Sequence, residues 1–254
     1  MQKLIFKTKE QLGKAAAKAV AEKIKNAIET KGSSNIILAT GISQFEILAE
    51  LVKAEGIDWS TVTMFHLDEY IGLSPDHPAS FRKYLKERFV DKVGTLKAAH
   101  LVKGDADDPQ AECDRLNQII ADHPIDLALV GIGENGHLAF NDPPADFDTD
   151  HRYIIVNLDD KCRNQQLGEG WFEKLNDVPT RAISMSIRQI MKSSFLIASV
   201  PDQRKARAVK DALEGPVTNA CPASILQNHP NCKIFLDHDS ASLLSPDSGR
   251  GADQ

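Results

Sequence analysis

The sequence predicts a doubly wound α/β fold built on a mostly parallel sheet. Three observations predict it. Short, nearly continuous apolar runs alternate with segments of helical periodicity, the pattern of strands covered on both faces by helices. Several of these runs end in polar, glycine-containing loops, as parallel strands do where they hand over to helices. The chain has 254 residues, of which 42% are apolar and 26% charged, enough to bury a full core without disulfide or metal staples.

The elements follow in order. An Ala- and Lys-rich packing helix is expected over residues 9–30, with Ala15, Ala19 and Ile24 on its apolar stripe. Asn35–Ala39 reads as a strand, a glycine turn follows, and Phe45–Val52 reads as a helix. Thr61–Phe65 is β-branched and apolar, a strand leading into a Gly/Pro-rich loop, and Phe81–Val90 is helical. Ala111–Ala121 is a helix feeding the fully apolar strand Ile125–Val130. Tyr153–Leu158 and Phe195–Val200 read as further strands, Pro201–Leu213 as a helix and Cys232–Leu236 as a last strand. Residues 164–176 are rich in Gln, Gly, Glu and Asn around Trp171 and Phe172, which suits a mobile flap spanning about 159–180. The Gly/Ser-rich segment 245–254 reads as a disordered tail, leaving residues 1–244 as one domain.

Charge and cysteine usage narrow the function. Thirty Lys+Arg against thirty-six Asp+Glu give a net charge of −6, the wrong balance for a nucleic-acid partner. The N-terminal ten residues carry Lys3, Lys7, Lys9 and Glu10 and lack the apolar run of a signal peptide. No apolar stretch approaches the ~20 residues that span a bilayer, so no membrane partner is expected. Cys113, Cys162, Cys221 and Cys232 form no CxxC pair, consistent with reduced thiols and a cytoplasmic location.

Three loops carry the chemistry. In the first, Thr40-Gly41-Ile42-Ser43, free N–H groups at a helix start attract anions. Ser43 with Glu46 also fits a capping box, and the bland reading is a capped turn with no ligand. In the second, Phe65-His66-Leu67-Asp68-Glu69-Tyr70, an acidic pair follows an apolar strand. Unpaired buried carboxylates are costly, so Asp68 is a candidate general base and Glu69 a partner for an Arg or a backbone donor; both could instead only cap the next helix. His66 lacks the second closely spaced His of a zincin helix, so no metal is expected. In the third, Gly131-Ile132-Gly133-Glu134-Asn135-Gly136-His137, a histidine sits among glycines and acids before Asn141-Asp142-Pro143. Flanking acids can fix the tautomer of such a histidine and make it a proton shuttle; a lone histidine can also be purely structural. The GxGxxG spacing is no dinucleotide fingerprint, because no long uninterrupted helix follows. There is no GxSxG nucleophile elbow. An anion cradle, a carboxylate base and a histidine suit proton transfer on a small phosphorylated molecule.

These stretches resemble those of the glucosamine-6-phosphate deaminase family. Residues 65–73 with His77-Pro78-Ala79-Ser80-Phe81 resemble its "DEY-x-GL … HP-x-S-[YF]" motif. Residues 131–143 resemble its "G-x-G-x-x-GH-[IL]-AFN-[ED]-P" motif. Glu214-Gly215, Pro222–Gln227 and His229-Pro230 resemble its C-terminal "EG … S-x-LQ-x-HP". The resemblance runs from about residue 5 to 240. It implies a modified Rossmann-like sheet with helices on both faces and a small flap, a fold shared with 6-phosphogluconolactonases. It implies an enzyme, a hydrolase and isomerase of amino-sugar metabolism, turning glucosamine-6-phosphate into fructose-6-phosphate and ammonia with no cofactor and no metal. Its partner would be a small amino-sugar phosphate, in a monomer or homo-oligomer.

Carried over by residue, Asp68 moves a proton between C2 and C1, His137 handles the ring-oxygen proton, and Asp142 takes the acid position beside it. Thr40, Gly41, Ile42, Ser43 and Lys205 would hold the phosphate, with Glu69 and Gly136 completing the substrate-binding set. The chain departs from the family in places. Asn135 stands where the family usually has Asp, and Glu134 is the neighbouring charge that could replace it. Asp142 stands for the usual Glu, and Ile42 stands where Gly is frequent. The flap's phosphate arginine has no clear counterpart, Arg163 being a candidate. Ile154 and Val156 fall where some hexameric members carry basic effector-binding residues, which implies no such activation and a smaller assembly. The alternatives are a galactosamine-6-phosphate deaminase, a 6-phosphogluconolactonase, against which Tyr70 in place of that group's Arg counts, and a non-catalytic sugar-phosphate sensor.

Overall fold

In the computed structural model, which describes residues 1–246 and the backbone of Arg250–Gly251, the first element is a strand that hydropathy does not suggest. β1 (Gln2–Phe6) is half-buried and interrupted by Lys3, so its pattern looks like a polar terminus. Thr8 caps α1 (Lys9–Lys31), its side chain accepting from Gln11 N, and Gly32 ends the helix in the left-handed region with φ 76°. There follow β2 (Ser34–Leu38), α2 (Phe45–Leu51), β3 (Val62–His66), β4 (Asp68–Tyr70) and α3 (Phe81–Leu85). A wide helical turn over Lys86–Val90 joins α3 to α4 (Asp91–Val93). Next come β5 (Ala98–His100), α5 (Pro109–Ala121), β6 (Leu127–Val130), β7 (Tyr153–Asn157) and α6 (Asp160–Gly168). β8 (Arg181–Met185), α7 (Ile187–Met191), β9 (Phe195–Val200), α8 (Ala206–Glu214), β10 (Cys232–Asp237) and β11 (Arg250–Gly251) complete the chain.

The main sheet runs β11-β1-β10-β9-β6-β2-β3-β5, with every pair parallel. Its central strands are apolar on both faces. Ala128 and Val130 of β6 face one core with Ile37, Phe65 and Ala198. Leu127 and Leu129 face the other with Ile36, Leu38 and the α1 residues Val20 and Ile24. Two cores on opposite faces of one parallel sheet are the doubly wound architecture. The order reverses between β2 and β6: the chain builds outward through β3 and β5 on one side, and through β9 and β10 on the other. Ligands of such sheets bind at that reversal, beyond the carboxyl ends of the strands.

A second, antiparallel sheet of β4, β8 and β7 stands beside the first. Two expectations change here. Tyr153–Leu158 supplies no strand of the main sheet: β7 is only partly buried beyond Tyr153, unlike the wholly buried β6. Asp68-Glu69-Tyr70 is no loop but β4, paired with Ser184, Ile183 and Ala182 of β8. Tyr70, Phe81, Phe140 and Phe172 form a third apolar cluster, with Tyr70 and Phe140 centroids 5.0 Å apart and Tyr70 and Phe172 5.5 Å apart. This cluster seats the flap segment on the small sheet. Of the segment 245–254, expected as a tail, Ser245 N donates to Glu214 Oε1 (2.8 Å) and the backbone of Arg250–Gly251 pairs with Leu4 and Ile5; the rest of that expectation lies outside the described residues.

Gly13 marks the tightest helix contact: a Cβ there would overlap Glu46 Cβ on α2. Alanine normally stabilises a helix interior by ~1 kcal/mol over glycine. Here Gly13→Ala is expected to lose about 1–3 kcal/mol through the clash, read as a lower urea midpoint at unchanged slope.

Candidate active site

Four neighbouring strands deliver their carboxyl ends to one cavity. Thr40–Ser43 follow β2, Asp68 follows β3, Gly131–Gly133 and His137 follow β6, and Asp202, Arg204 and Lys205 follow β9; all line the same space. Gln165, Gln166 and Glu169 of the flap close one side of it.

The first loop turns through Gly41 at φ 91°, the left-handed region that glycine enters without strain. Tyr84 O–H donates to Gly41 O (3.0 Å) and holds the turn. The expected capping box does not form. The chain enters α2 through a tight turn over Ile42–Gln44 with no side-chain cap, and Glu46 instead meets Lys9 Nζ at 3.2 Å, because α1 lies alongside.

Asp68 is 5% exposed. Burial, then the charge of Glu69, pushes its carboxyl up to about 8, against the backbone N–H of Phe140. Glu69 behaves differently. It accepts from Tyr70 N (2.9 Å), Ser80 Oγ (2.9 Å), Phe81 N (3.2 Å) and Arg82 N (2.7 Å). It therefore satisfies free N–H groups of α3 and does not line the cavity, where a substrate contact was expected of it. Burial alone pushes it up to about 7 against these donors. His66 is buried, with Nδ1 accepting from Val102 N (3.3 Å); burial, then Arg82, pushes it down to about 3, so it is a neutral core side chain.

His137 lies over Gly133, where a Cβ would overlap the imidazole. Its Nδ1 faces Asp142 Oδ1 at 3.1 Å. Asp142 Oδ1 also accepts from Asn135 Nδ2 (2.9 Å) and Oδ2 from Asp159 N (3.0 Å). Burial raises the Asp142 carboxyl, but the bond and charge of His137 with the Asn135 and Asp159 donors outweigh it and hold it below its ordinary value. Glu134 does not supply the charge that Asn135 lacks: it points to Arg204 Nη1 at 3.8 Å and lines a different groove with Gly136. Gly136, expected at the substrate, turns at φ 84° against Cys221 instead. Ala139 (φ 51°) and Asp202 (φ 89°) are the two non-glycine residues with positive φ among those described. Both line the cavity, so backbone strain is concentrated there.

Lys205 is 5% exposed and aimed into the cavity. Burial lowers its pKa, with Glu169 and Glu134 opposing; an anion beside it would favour its charged form. Arg163 is not at the cavity, because its guanidinium donates to Leu175 O (2.7 Å) and Val178 O (3.2 Å) within the flap. Two exposed cations also line the cavity: Lys9, and Arg204 next to Lys205, held by Asp202 Oδ2 at 2.9 Å. Sequence reasoning missed both, with Gln165, Gln166 and Glu169; only the adjacency of Arg204 to Lys205 signalled any of them. Among the described residues, His137, Asp142 and Cys162 bring three ligand atoms within 4.8 Å. Asp142 already accepts from Asn135 Nδ2 and Asp159 N, and burial raises the Cys162 thiol well above its usual range, which disfavours the thiolate a metal needs.

A buried acid of raised pKa, an imidazole and cationic side chains line one cavity at the carboxyl ends of a doubly wound sheet, the site of an α/β enzyme. The sequence profile described as "Glucosamine-6-phosphate isomerases/6-phosphogluconolactonase" matches residues 7–234, and the chain belongs to this family. It is 38% identical to a glucosamine-6-phosphate deaminase of Listeria monocytogenes over 231 residues, covering 91% of this chain and 96% of the relative. It is 39% identical to that of Streptococcus pneumoniae over 242 residues, covering 94% and 99%. The solved structure of a monomeric glucosamine-6-phosphate deaminase superposes with a TM-score of 0.86 at 32% identity, covering 96% of this chain and all of that one. The 6-phosphogluconolactonase of Trypanosoma brucei matches with a TM-score of 0.79 at 16% identity, covering 96% and 99%, and shares the fold alone. The expectation of a hydrolase is thereby corrected: the relatives at 38–39% are named deaminases, and the lactonases are similar only in fold.

Proposed function

We propose that the protein converts glucosamine-6-phosphate to fructose-6-phosphate and ammonia. The observation that carries this reading is the meeting of Asp68 and His137 on one cavity, with the Thr40–Ser43 turn and Lys205 at its edge. The phosphate sits on the free N–H groups of the turn and on Lys205. His137, oriented by Asp142, takes the proton of the C1 hydroxyl and gives one to the ring oxygen, so that the C1–O bond of the ring breaks and the sugar opens. Asp68 then removes the weakly acidic proton from C2 and returns it to C1 through an enolamine, one carboxylate on one face serving both carbons. Water adds to the resulting C2 imine, and the carbinolamine so formed expels ammonia and leaves the ketone. Tyr70, donating to Gln166 Oε1 at 2.8 Å, ties β4 to the flap where the lactonases typically carry Arg, and this favours the deaminase reading.

The chain acts on a small molecule. No helix among the described residues is long and apolar enough to cross a membrane. Four free cysteines support a cytoplasmic setting, and the few exposed large apolar side chains, Met1, Val217 and Leu243, support a monomer or small oligomer without an effector site at Ile154 and Val156.

Ammonia release from glucosamine-, galactosamine- and mannosamine-6-phosphate, with 6-phosphogluconolactone run in parallel, tests the reading. Turnover is expected first with glucosamine-6-phosphate; faster hydrolysis of the lactone than of any amino sugar overturns it. The pH profile is a second check. A base must be unprotonated, and the Asp68 carboxyl stands at about 8 in the free protein. kcat/KM is therefore expected to rise with pH and level off near that value. A flat profile from mildly acidic to mildly alkaline pH contradicts the assignment.

A further inference from the structure

The flap meets the loop that carries His137 at two places. Gln165 Oε1 accepts from Glu134 N at 2.9 Å. Six residues earlier stands Asp159, the residue that caps α6. Its Oδ1 accepts from Cys162 N (2.6 Å), and its Oδ2 accepts from Asn135 Nδ2 (3.3 Å). Its backbone N–H donates to Asp142 Oδ2 (3.0 Å). Asn135 is the hub. Its amide nitrogen donates to both Asp142 Oδ1 and Asp159 Oδ2, while its Oδ1 accepts from His137 N at 3.1 Å. The carboxylate that faces the imidazole is thus held directly by the flap backbone and indirectly, through Asn135, by the flap side chain.

We propose that Asp159 is a positioning residue that latches the flap to the His137 loop, so that seating the flap and aligning the imidazole are one event. The arrangement also accounts for an amide at position 135. With Asp142 and Asp159 as acceptors on either side, the residue at 135 must donate to bridge them, as the Asn135 amide does, and a third carboxylate would stand against two others without a proton to share. The flap helix brings the second acid and Asn135 connects it. The role in turnover rests on the proposed reaction; the latch itself does not.

Asp159→Asn tests it. Asparagine keeps the backbone N–H and an oxygen for the helix cap, but it turns an NH2 group toward the NH2 of Asn135. kcat is expected to fall roughly tenfold or more, as for the loss of a hydrogen bond to a charged group, with KM changed by less than about threefold. Asn135→Ala is expected to act similarly. The double variant should be no worse than the poorer single one, because the Asp159 carboxylate works through Asn135. Asp159→Ser, which also keeps a cap, should repeat the loss if the asparagine variant folds poorly. Multiplication of the two single effects, or a kcat for Asp159→Asn within about twofold of the parent, overturns the latch. A parent protein that releases no ammonia overturns the proposed reaction instead. A readout free of turnover separates the two: the 15N resonances of the His137 ring, without substrate, should shift in either single variant and no further in the double. An unchanged imidazole spectrum in Asp159→Asn refutes the latch whatever the protein turns over.

Discussion

Asp68→Asn is expected to abolish ammonia release while leaving sugar-phosphate binding nearly intact. The asparagine is isosteric and cannot take the C2 proton. A positioned general base contributes ~10²–10⁴-fold, and here one group serves both proton transfers, so the loss should lie at the upper end of that range or beyond. In the proposed site, binding rests on other residues, the Thr40–Ser43 turn and Lys205, and should persist by calorimetry. The variant also removes a charge that is harder to carry in the folded than in the unfolded chain. With its carboxyl raised to about 8 by burial and Glu69, the parent loses stability as pH rises from the ordinary carboxylate range toward that value. Asp68→Asn should therefore lose less stability over the same interval. Near-parent ammonia release from this variant would remove Asp68 from the reaction.

Gly133→Ala carries the second large effect. One added methyl would overlap the His137 ring, and the ring cannot retreat freely, because Asp142 holds Nδ1 and the residue is 8% exposed. Either the loop shifts or the imidazole leaves its place in the cavity. Misplacement by about 1 Å can cost ~100-fold in rate, with an overpacking cost of ~1–3 kcal/mol in stability. Steady-state kinetics with a thermal melt separates the two. A variant that turns over like the parent would show that the position of His137 does not limit the reaction.

The sequence made the main sheet legible where strands are wholly apolar. Ile125–Val130 and Phe195–Val200 can be little else, and they became β6 and β9. β1, β4, β5 and β8 were not legible, because each is short, half-polar or carries charge that only its tertiary neighbours explain. Asp68-Glu69-Tyr70 is the clearest case: two acids in succession argue for a loop, yet β8 pairs with them and α3 satisfies Glu69. At the site, sequence order shows that a loop is rich in donors and acids, but not where each side chain turns. Glu69 turned to a helix end, Arg163 to flap carbonyls and Gly136 to Cys221. The cavity-lining residues of the flap lay in a segment whose composition announced mobility and nothing more.

The proton path through Asp68 is tested most directly by exchange at C1. Fructose-6-phosphate incubated with ammonium and the protein in D2O should exchange one of its two C1 hydrogens, seen by proton NMR, because a single carboxyl works on one face of the sugar. Asp68→Asn should show none. Exchange of both hydrogens, or exchange that persists in Asp68→Asn, would contradict the account.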